Sequence, residues 1–405
     1  MTAIAVKGWC PGIARPMPSG DGLIVRVRPR CGAVPVATAH ALADLAERLG
    51  NGHIDLTRRA NLQLRGLADE RLSELQSALA ALGLLDTDAS TEAVRNVMVA
   101  PLAGLDPTQP FDVRPIAAAI DDALTSDVRL HALPGKFGVL VDGGGLLSIA
   151  GERADICLAA AGERILFGMD TPAGTRWLGT LPPARAAETT VVAAHAFLGA
   201  TTRGRMRDLS DAAFATVRAA VAPFLSATDF RPKPGRRRLG PTTGAVGIAA
   251  PFGRLEPAQL RRVAAMAAEA GAADLRLSPW RTLYIGVEEA AVGVALLEEA
   301  RDIGLIVEDD DPVLQVEACP GAPDCASSSV DARGDARRLA MLAAARGYRG
   351  SIHVSGCAKG CARSLPSDLV LAGKSGAYSV IRNGTTRSLV ERVIGAGEFG
   401  SLFDG

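Results

Sequence analysis

Two stretches of the chain carry the same succession of apolar and polar positions. In the first, Gly22-Leu-Ile-Val-Arg-Val-Arg-Pro29 alternates apolar with basic residues, the period of a strand with one buried face. Val36 to Leu49 then repeats apolar residues at helical spacing and is stopped by Gly50. A strand follows over Ile54–Leu64, a helix over Glu70–Leu82, and then Gly83-Leu-Leu-Asp86. From Gly244 the order returns: a strand at Ala245–Ala250, a helix opened by Pro257 and ended before Gly271, a strand at Leu275–Ile285, and a helix from Glu288 to Ile303.

Three anchors lie about 220 positions apart, which makes chance repetition a poor account. Leu82-Gly-Leu-Leu-Asp matches Ile303-Gly-Leu-Ile-Val, and Ala100-Pro101 matches Cys319-Pro320. His131-Ala-Leu-Pro-Gly-Lys136 matches His353-Val-Ser-Gly-Cys-Ala, so His131 and His353 are expected at equivalent positions with a role in the fold. The chain is therefore a duplicated α/β protein. Between the copies, Arg231-Pro-Lys-Pro-Gly-Arg-Arg-Arg238 reads as a solvated linker, with contact to a polycarboxylate ligand as the functional alternative. The stretch from about 171 to 231 receives no assignment.

Composition narrows the class. The 405 residues suit several domains, and 48% hydrophobic with 22% charged residues is a globular mix. Forty-four basic residues balance 44 acidic ones, which argues against bulk-charge binding to nucleic acid or a membrane surface. No apolar run is long enough to span a bilayer, and Met1 to Gly12 lacks the basic start and apolar core of a signal peptide. A cytoplasmic protein is expected, in which seven cysteines are poor candidates for disulfides.

Four of those cysteines fall in the last quarter as Cys319-x5-Cys325 and Cys357-x3-Cys361. Each pair sits among Gly and Pro, in loops that bring backbone N–H groups close to sulfur. Thiolates are the soft ligands that iron–sulfur clusters and zinc select, and neither pair has the spacing of a zinc knuckle. Cys10, Cys31 and Cys157 are scattered and are expected to be dispensable for such a centre.

A duplicated α/β chain ending in these two pairs resembles the nitrite and sulfite reductase superfamily. Thr57-Arg-Arg59-Ala-Asn61-Leu-Gln63-Leu-Arg65 is similar to that family's tetrapyrrole-lining Thr-x-Arg-x-Asn-x-Gln segment. Arg95-Asn96-Val97 resembles its Arg-Asn-Val segment, and Leu133-Pro-Gly-Lys136-Phe-Gly138 its Pro-x-Lys-Phe loop. The resemblance implies an internally duplicated reductase-like fold: two ferredoxin-like modules and two 4Fe–4S-type modules about a pseudo-twofold axis. The expected boundaries are 1–88, 89–230 (a reductase-type domain without a cluster), 231–311 with the linker, and 312–405. It also implies a 4Fe–4S cluster on Cys319, Cys325, Cys357 and Cys361, and tetrapyrrole binding by Arg59, Asn61, Gln63, Arg65, Arg95 and Lys136.

Within the superfamily, Gly8-Trp9-Cys10-Pro11-Gly12 followed by Gly20-Asp21-Gly22 resembles the precorrin-3B synthase family of aerobic cobalamin biosynthesis. That resemblance implies an O2-dependent monooxygenase that hydroxylates precorrin-3A at C20 while a γ-lactone closes. A mononuclear non-haem iron would be a second metal. No trusted His-x-Asp/Glu pair among the five histidines names its ligands, and no catalytic residue is identified. An electron donor is implied, either an NAD(P)H-linked reductase or a ferredoxin. The alternative is a sirohaem-dependent sulfite or nitrite reductase. A third reading is a non-catalytic iron–sulfur electron-transfer protein.

The chemistry agrees with a tetrapyrrole. Its fringe of carboxylates suits arginine, whose planar fork donates paired hydrogen bonds and keeps its charge. Read as one strand, 54–64 and its continuation put Arg59, Asn61, Gln63 and Arg65 on one face. Arg26, Arg28 and Arg30 form a similar row, equally readable as a wet strand face. One departure bears on the alternative: reductases carry Lys or Asn two residues after the lysine matching Lys136, and this chain has Gly138. That glycine is expected to open space and to remove a donor that reduction of a small anion needs. Lys359, between the last two cysteines, reads most simply as solvated.

Overall fold

The computed structural model describes residues 10–363 and 365–403, so Gly8 and Trp9 of the N-terminal motif lie outside them. Four five-stranded sheets organise the chain, two of each kind.

The first sheet runs in the order Met17–Ser19, Gly22–Val27, Leu62–Leu67, Ile54–Leu56, Arg254–Leu255, all antiparallel. The second runs Gly240–Thr242, Ala245–Ala249, Thr282–Gly286, Asp274–Leu277, Ala33–Pro35 in the same way. Each sheet thus takes its last strand from the other copy. Ala33–Pro35 pairs with Asp274–Leu277, and Arg254–Leu255 pairs with Ile54–Leu56. The reciprocal exchange closes an edge on each sheet that would otherwise expose unpaired backbone groups. The helices that follow the exchanged strands, Val36–Leu49 and Pro257–Glu269, pack against each other. One hydrophobic core accordingly contains residues of both copies, among them Leu42, Leu64, Val263 and Leu283.

The other two sheets share a second topology. Val97–Val99, Val139–Asp142 and Ile156–Ala161 are parallel, and the antiparallel strands Arg164–Thr171 and Gly174–Leu181 follow. Val316–Ala318, Ile352–Ser355, Ser367–Lys374, Ala377–Gly384 and Arg392–Ile394 repeat it strand for strand. The duplicated α/β architecture read from the sequence is therefore present.

Local readings differ in four places. The strand expected over Ile54–Leu64 is two strands, Ile54–Leu56 and Leu62–Leu67, folded back at a tip over 57–61. Thr57 N–H donates to the Asn61 carbonyl, Ala60 N–H to the Thr57 carbonyl, and Ala60 takes a left-handed φ of 51°. The strand expected over Leu275–Ile285 is split likewise, with Arg281 at φ 58° as the mate of Ala60. Continuous β-branched and apolar character on both arms hides such a tip from a periodicity reading. Second, His131 and His353 are not equivalent. His353 lies on the strand Ile352–Ser355, whose mate is Val139–Asp142, whereas His131 sits in the short helical turn Val128–Ala132. Third, the basic segment 231–238 is solvated as expected, with Arg231, Lys233, Arg236 and Arg238 exposed, but it is tethered at Gly235. Gly235 N–H donates to the Ser148 carbonyl at 2.9 Å, and a Cβ at Gly235 would lie 2.6 Å from that same oxygen. Fourth, the unassigned stretch after 171 supplies Gly174–Leu181 and the helices Ala186–Ala200 and Asp211–Val221, whose Phe197, Val217 and Val221 complete the core around Phe167.

Candidate functional site

The tip over 57–61 carries the first candidate residues. Arg59 donates to the Arg153 carbonyl at 2.7 Å, and no carboxylate pairs with it among the described residues. Burial and the neighbouring Arg205 lower its pKa, with Asp155 and Glu152 pulling the other way. Asn61 is buried, and both residues line a narrow polar cleft with Arg28, Cys31, Arg95, Asn96 and Asp121. The Asp121 carboxyl in that cleft is pushed up to about 6 by burial, and one of its oxygens is enclosed without a partner.

Because Arg59 stands in a tip and Arg65 on the returning strand, the four predicted residues do not share one face. Gln63 accepts from Arg26 at 3.0 Å, directly across the strand pair. Arg65 forms a paired salt bridge with Asp21, at 2.8 and 2.9 Å, and also donates to Ser19. Arg95 is committed too. It grips Asp86 through Nε and one terminal nitrogen at 2.9 Å, and gives the other terminal nitrogen to the Arg28 carbonyl at 2.7 Å. Arg28 itself bonds Glu92 at 2.8 Å, and the same carboxylate accepts the N–H groups of Ile13 and Ala14. These buried guanidiniums are neutralised inside the protein, at 8% exposure for Arg65 and Arg95 and 6% for Arg28. Arg30 turns away from the row toward Asp121 and Asp122. Lys136 is exposed at the end of its loop, apart from the Arg59 cleft residues.

Gly138 does not open space. A Cβ there would come within 2.7 Å of the Asn96 carboxamide nitrogen, and Gly138 N–H donates to buried Asp155 at 2.9 Å.

The four C-terminal cysteines come from two loops beside the edge of the first sheet. Gly356 N–H donates to Cys319 Sγ at 3.0 Å, the kind of backbone donation that steadies a thiolate. Cys325 Sγ lies 3.0 Å from where a Cβ on Gly20 would stand, a tight fit that would make the sulfur give way by a few tenths of an ångström. Cys361 is an exposed residue whose thiol is nonetheless pushed up by enclosure and by Cys319, Cys357 and Cys325, which places all four sulfurs in one neighbourhood. This all-sulfur donor set fits an iron–sulfur cluster. Lys359 bonds Ser327 on the facing loop.

A mononuclear iron finds no such set. Among the described residues, no three His, Cys, Asp or Glu side chains close on a point as the ligands of one ion do; a cluster's thiolates, each on its own iron, stand farther apart. His195 pairs with Asp127, His131 bonds the Thr125 carbonyl, and His53 lies between Glu256 and Asp324. His353 is buried, with its pKa lowered to about 4 by desolvation.

Several charged residues near the cysteines were missed by motif reading. Asp55 is surrounded by Arg254 at 2.9 Å, Arg65 at 3.4 Å and Arg333 at 3.6 Å. Burial works against its charge, yet these three arginines hold the carboxyl down to about 2. Arg254 also reaches Asp324 in the cysteine loop at 2.7 Å, tying that loop to the first sheet. Burial lowers Arg333 to about 10. Long-range pairs of this kind leave no local sequence signal.

Comparison with known proteins supplies the context. Residues 15–82 and 237–299 match the model of the nitrite/sulfite reductase ferredoxin-like half domain. Residues 90–240 match that of the nitrite and sulphite reductase 4Fe-4S domain, which here is the copy without the paired cysteines. A precorrin-3B synthase from Sinorhizobium sp is 34% identical over 404 residues, 95% of this chain and 84% of the relative. A ferredoxin–nitrite reductase from Synechococcus elongatus is 26% identical, over 90% of this chain and 78% of the relative. The solved structure of Mycobacterium tuberculosis NirA protein superposes with a TM-score of 0.73 at 21% identity, covering 94% of this chain and 79% of that one. Among the described residues, no helix is long and apolar enough to cross a membrane.

Proposed function

The chain belongs to the nitrite and sulfite reductase superfamily and, within it, to the precorrin-3B synthase family, and on that premise we propose that it is an O2-dependent monooxygenase converting precorrin-3A to precorrin-3B in cobalamin biosynthesis. The observation that carries this reading over anion reduction is the state of the arginines. Arg28 and Arg95, which line the same cleft as Arg59, are already cancelled by Glu92 and Asp86. Arg59, with Glu152 and Asp155 near it, makes no ion pair among the described residues and stands next to buried Asn61. That combination suits a carboxylate on the rim of a large ring better than a caged small anion.

In this reading Arg59 holds a substrate carboxylate and Asn61 offers an amide to the ring or its fringe. Cys319, Cys325, Cys357 and Cys361 hold a 4Fe–4S cluster, which when bound supplies single-electron transfer. One atom of O2 enters at C20, and the other leaves as water with two electrons and two protons. The electrons come from an external donor, an NAD(P)H-linked reductase or a ferredoxin, in the cytoplasm. The expected non-haem iron has no ligand set in the described residues, and no step is assigned to it.

The test is an aerobic incubation with precorrin-3A and a reductant, using isotopically labelled O2 and mass analysis. The expected product gains one labelled oxygen atom. Recovery of unlabelled precorrin-3A, together with reduction of sulfite or nitrite after sirohaem loading, would overturn the proposal.

A further inference from the structure

The tip over 278–281 of the second copy is the duplicate of the one bearing Arg59, and residues of both tips lie near the carboxylates Glu152 and Glu317. Trp280 lies near Glu152, a carboxyl whose charged neighbours are Arg58 and Arg59. Arg281 lies beside Glu317, and Glu317 accepts from both Arg58 and Arg363, the latter at 2.5 Å. Three guanidiniums therefore surround one carboxylate.

Arg281 is the one left unsatisfied. Its Nε is buried without a partner, and its only hydrogen bond among the described residues is a long one, 3.5 Å, to the Ala362 carbonyl. Burial lowers its pKa, with Glu317 pulling the other way. Arginine does not shed its proton at working pH, so an enclosed guanidinium without an anion of its own is costly. The backbone pays as well, since a φ of 58° is poorly suited to a side chain of this size. The first copy has Ala60 at the matching place. The side chain also depends on a glycine beneath it: a Cβ on Gly253 would lie 2.6 Å from Arg281 Cδ, whereas one on the equivalent Gly32 would lie 4.0 Å from the Ala60 methyl. The second copy thus places on its tip, where the first has Ala60, a buried cation with no ion pair among the described residues.

We propose that Arg281 binds a second carboxylate of the tetrapyrrole substrate, so that each copy contributes one arginine from its tip. This rests on the reading of the protein as a precorrin-binding enzyme. A ring substrate reaching this tip would complete Arg281 with the anion it lacks; Glu317 gives Oε1 to Arg58 and Arg363, its buried Oε2 has no partner, and no ion pair joins it to Arg281 among the described residues.

Glycine at 281 is the informative replacement, because it removes the guanidinium and suits the left-handed backbone. Equilibrium binding of precorrin-3A is measured without O2 for the wild type, Arg281→Gly and Arg281→Lys, alongside thermal unfolding. Arg281→Gly is expected to unfold at the same temperature or higher, yet to bind about 10- to 100-fold more weakly. Arg281→Lys, which keeps the charge without the fork, is expected between them. Unchanged affinity in Arg281→Gly, or lost affinity that only accompanies lost stability, would make Arg281 a structural residue and overturn the proposal alone. Failure of the wild type to bind precorrin-3A would overturn it together with the reading it rests on.

Discussion

The Asn96 carboxamide fills the space above Gly138: its nitrogen lies 2.7 Å from where a Cβ at 138 would stand, and it donates to the Phe137 carbonyl at 2.8 Å. The sequence predicts open space at this glycine, and the fold closes it with the residue just before the strand Val97–Val99. Restoring the lysine of the reductases should therefore strain the loop. Gly138→Lys is expected to lose about 1–3 kcal/mol, the usual range for overpacking, and to gain no sulfite or nitrite reduction with an artificial donor. A denaturant titration and an anion-reduction assay check both halves. A stable Gly138→Lys protein that reduces either anion would show that the missing donor alone separates the two activities.

Arg59 and Arg95 are expected to behave differently, although the sequence groups them. Arg59→Ala should keep its fold and cluster and bind precorrin-3A more weakly, by about 1.5–3 kcal/mol for one charge-assisted pair. Arg95→Ala strands Asp86, so its first effect should be on stability, on the order of 3 kcal/mol. Unfolding midpoints and binding isotherms for the two variants separate the roles. Equal stability losses would remove the distinction.

The cluster assignment predicts a sharp division among the cysteines. Serine at Cys319, Cys325, Cys357 or Cys361 should abolish or cripple the visible absorption and EPR signal of the reconstituted protein. Serine at Cys10, Cys31 or Cys157 should leave both intact. An undiminished EPR signal from Cys357→Ser would mean that the cluster is held elsewhere.

Asp121 predicts a pH dependence of stability. Its folded pKa of about 6 lies above the ordinary carboxylate value of 3.8 because burial disfavours the charge, with Arg95 and Arg30 pulling down and Asp86 and Asp122 adding repulsion. Between those two values the folded state binds more protons than the unfolded one, so this group's contribution falls as pH rises from about 4 to 6. Above pH 6 the full penalty applies, up to about 3 kcal/mol at 1.36 kcal/mol per unit. Asp121→Asn should remove this slope and be more stable than the wild type at pH 7, with the two curves converging near pH 4. Parallel stability curves across that range would place the charge penalty elsewhere.

Helix Val36–Leu49 was legible to the residue, because its apolar spacing and the following Gly50 are local facts. So was the duplication, since two anchors hold their offset in the structure. The third, His131 with His353, does not, because a short Gly-bearing match can recur where the strands are out of step. The exchanged strands Ala33–Pro35 and Arg254–Leu255 are too short for any periodicity to announce.

At the site, the amino-acid pattern by itself determined which side chains are available: four cysteines in two glycine-rich loops, and a row of arginines. Only the tertiary structure decided which of those arginines are free. Asp21 claims Arg65, Asp86 claims Arg95 and Glu92 claims Arg28, while Arg59 and Arg281, on the duplicated tips, make no ion pair among the described residues. The reason is physical. A charge is neutralised by whatever the fold brings within hydrogen-bonding distance, and Arg28 and Glu92 are 64 residues apart along the chain but 2.8 Å apart in space.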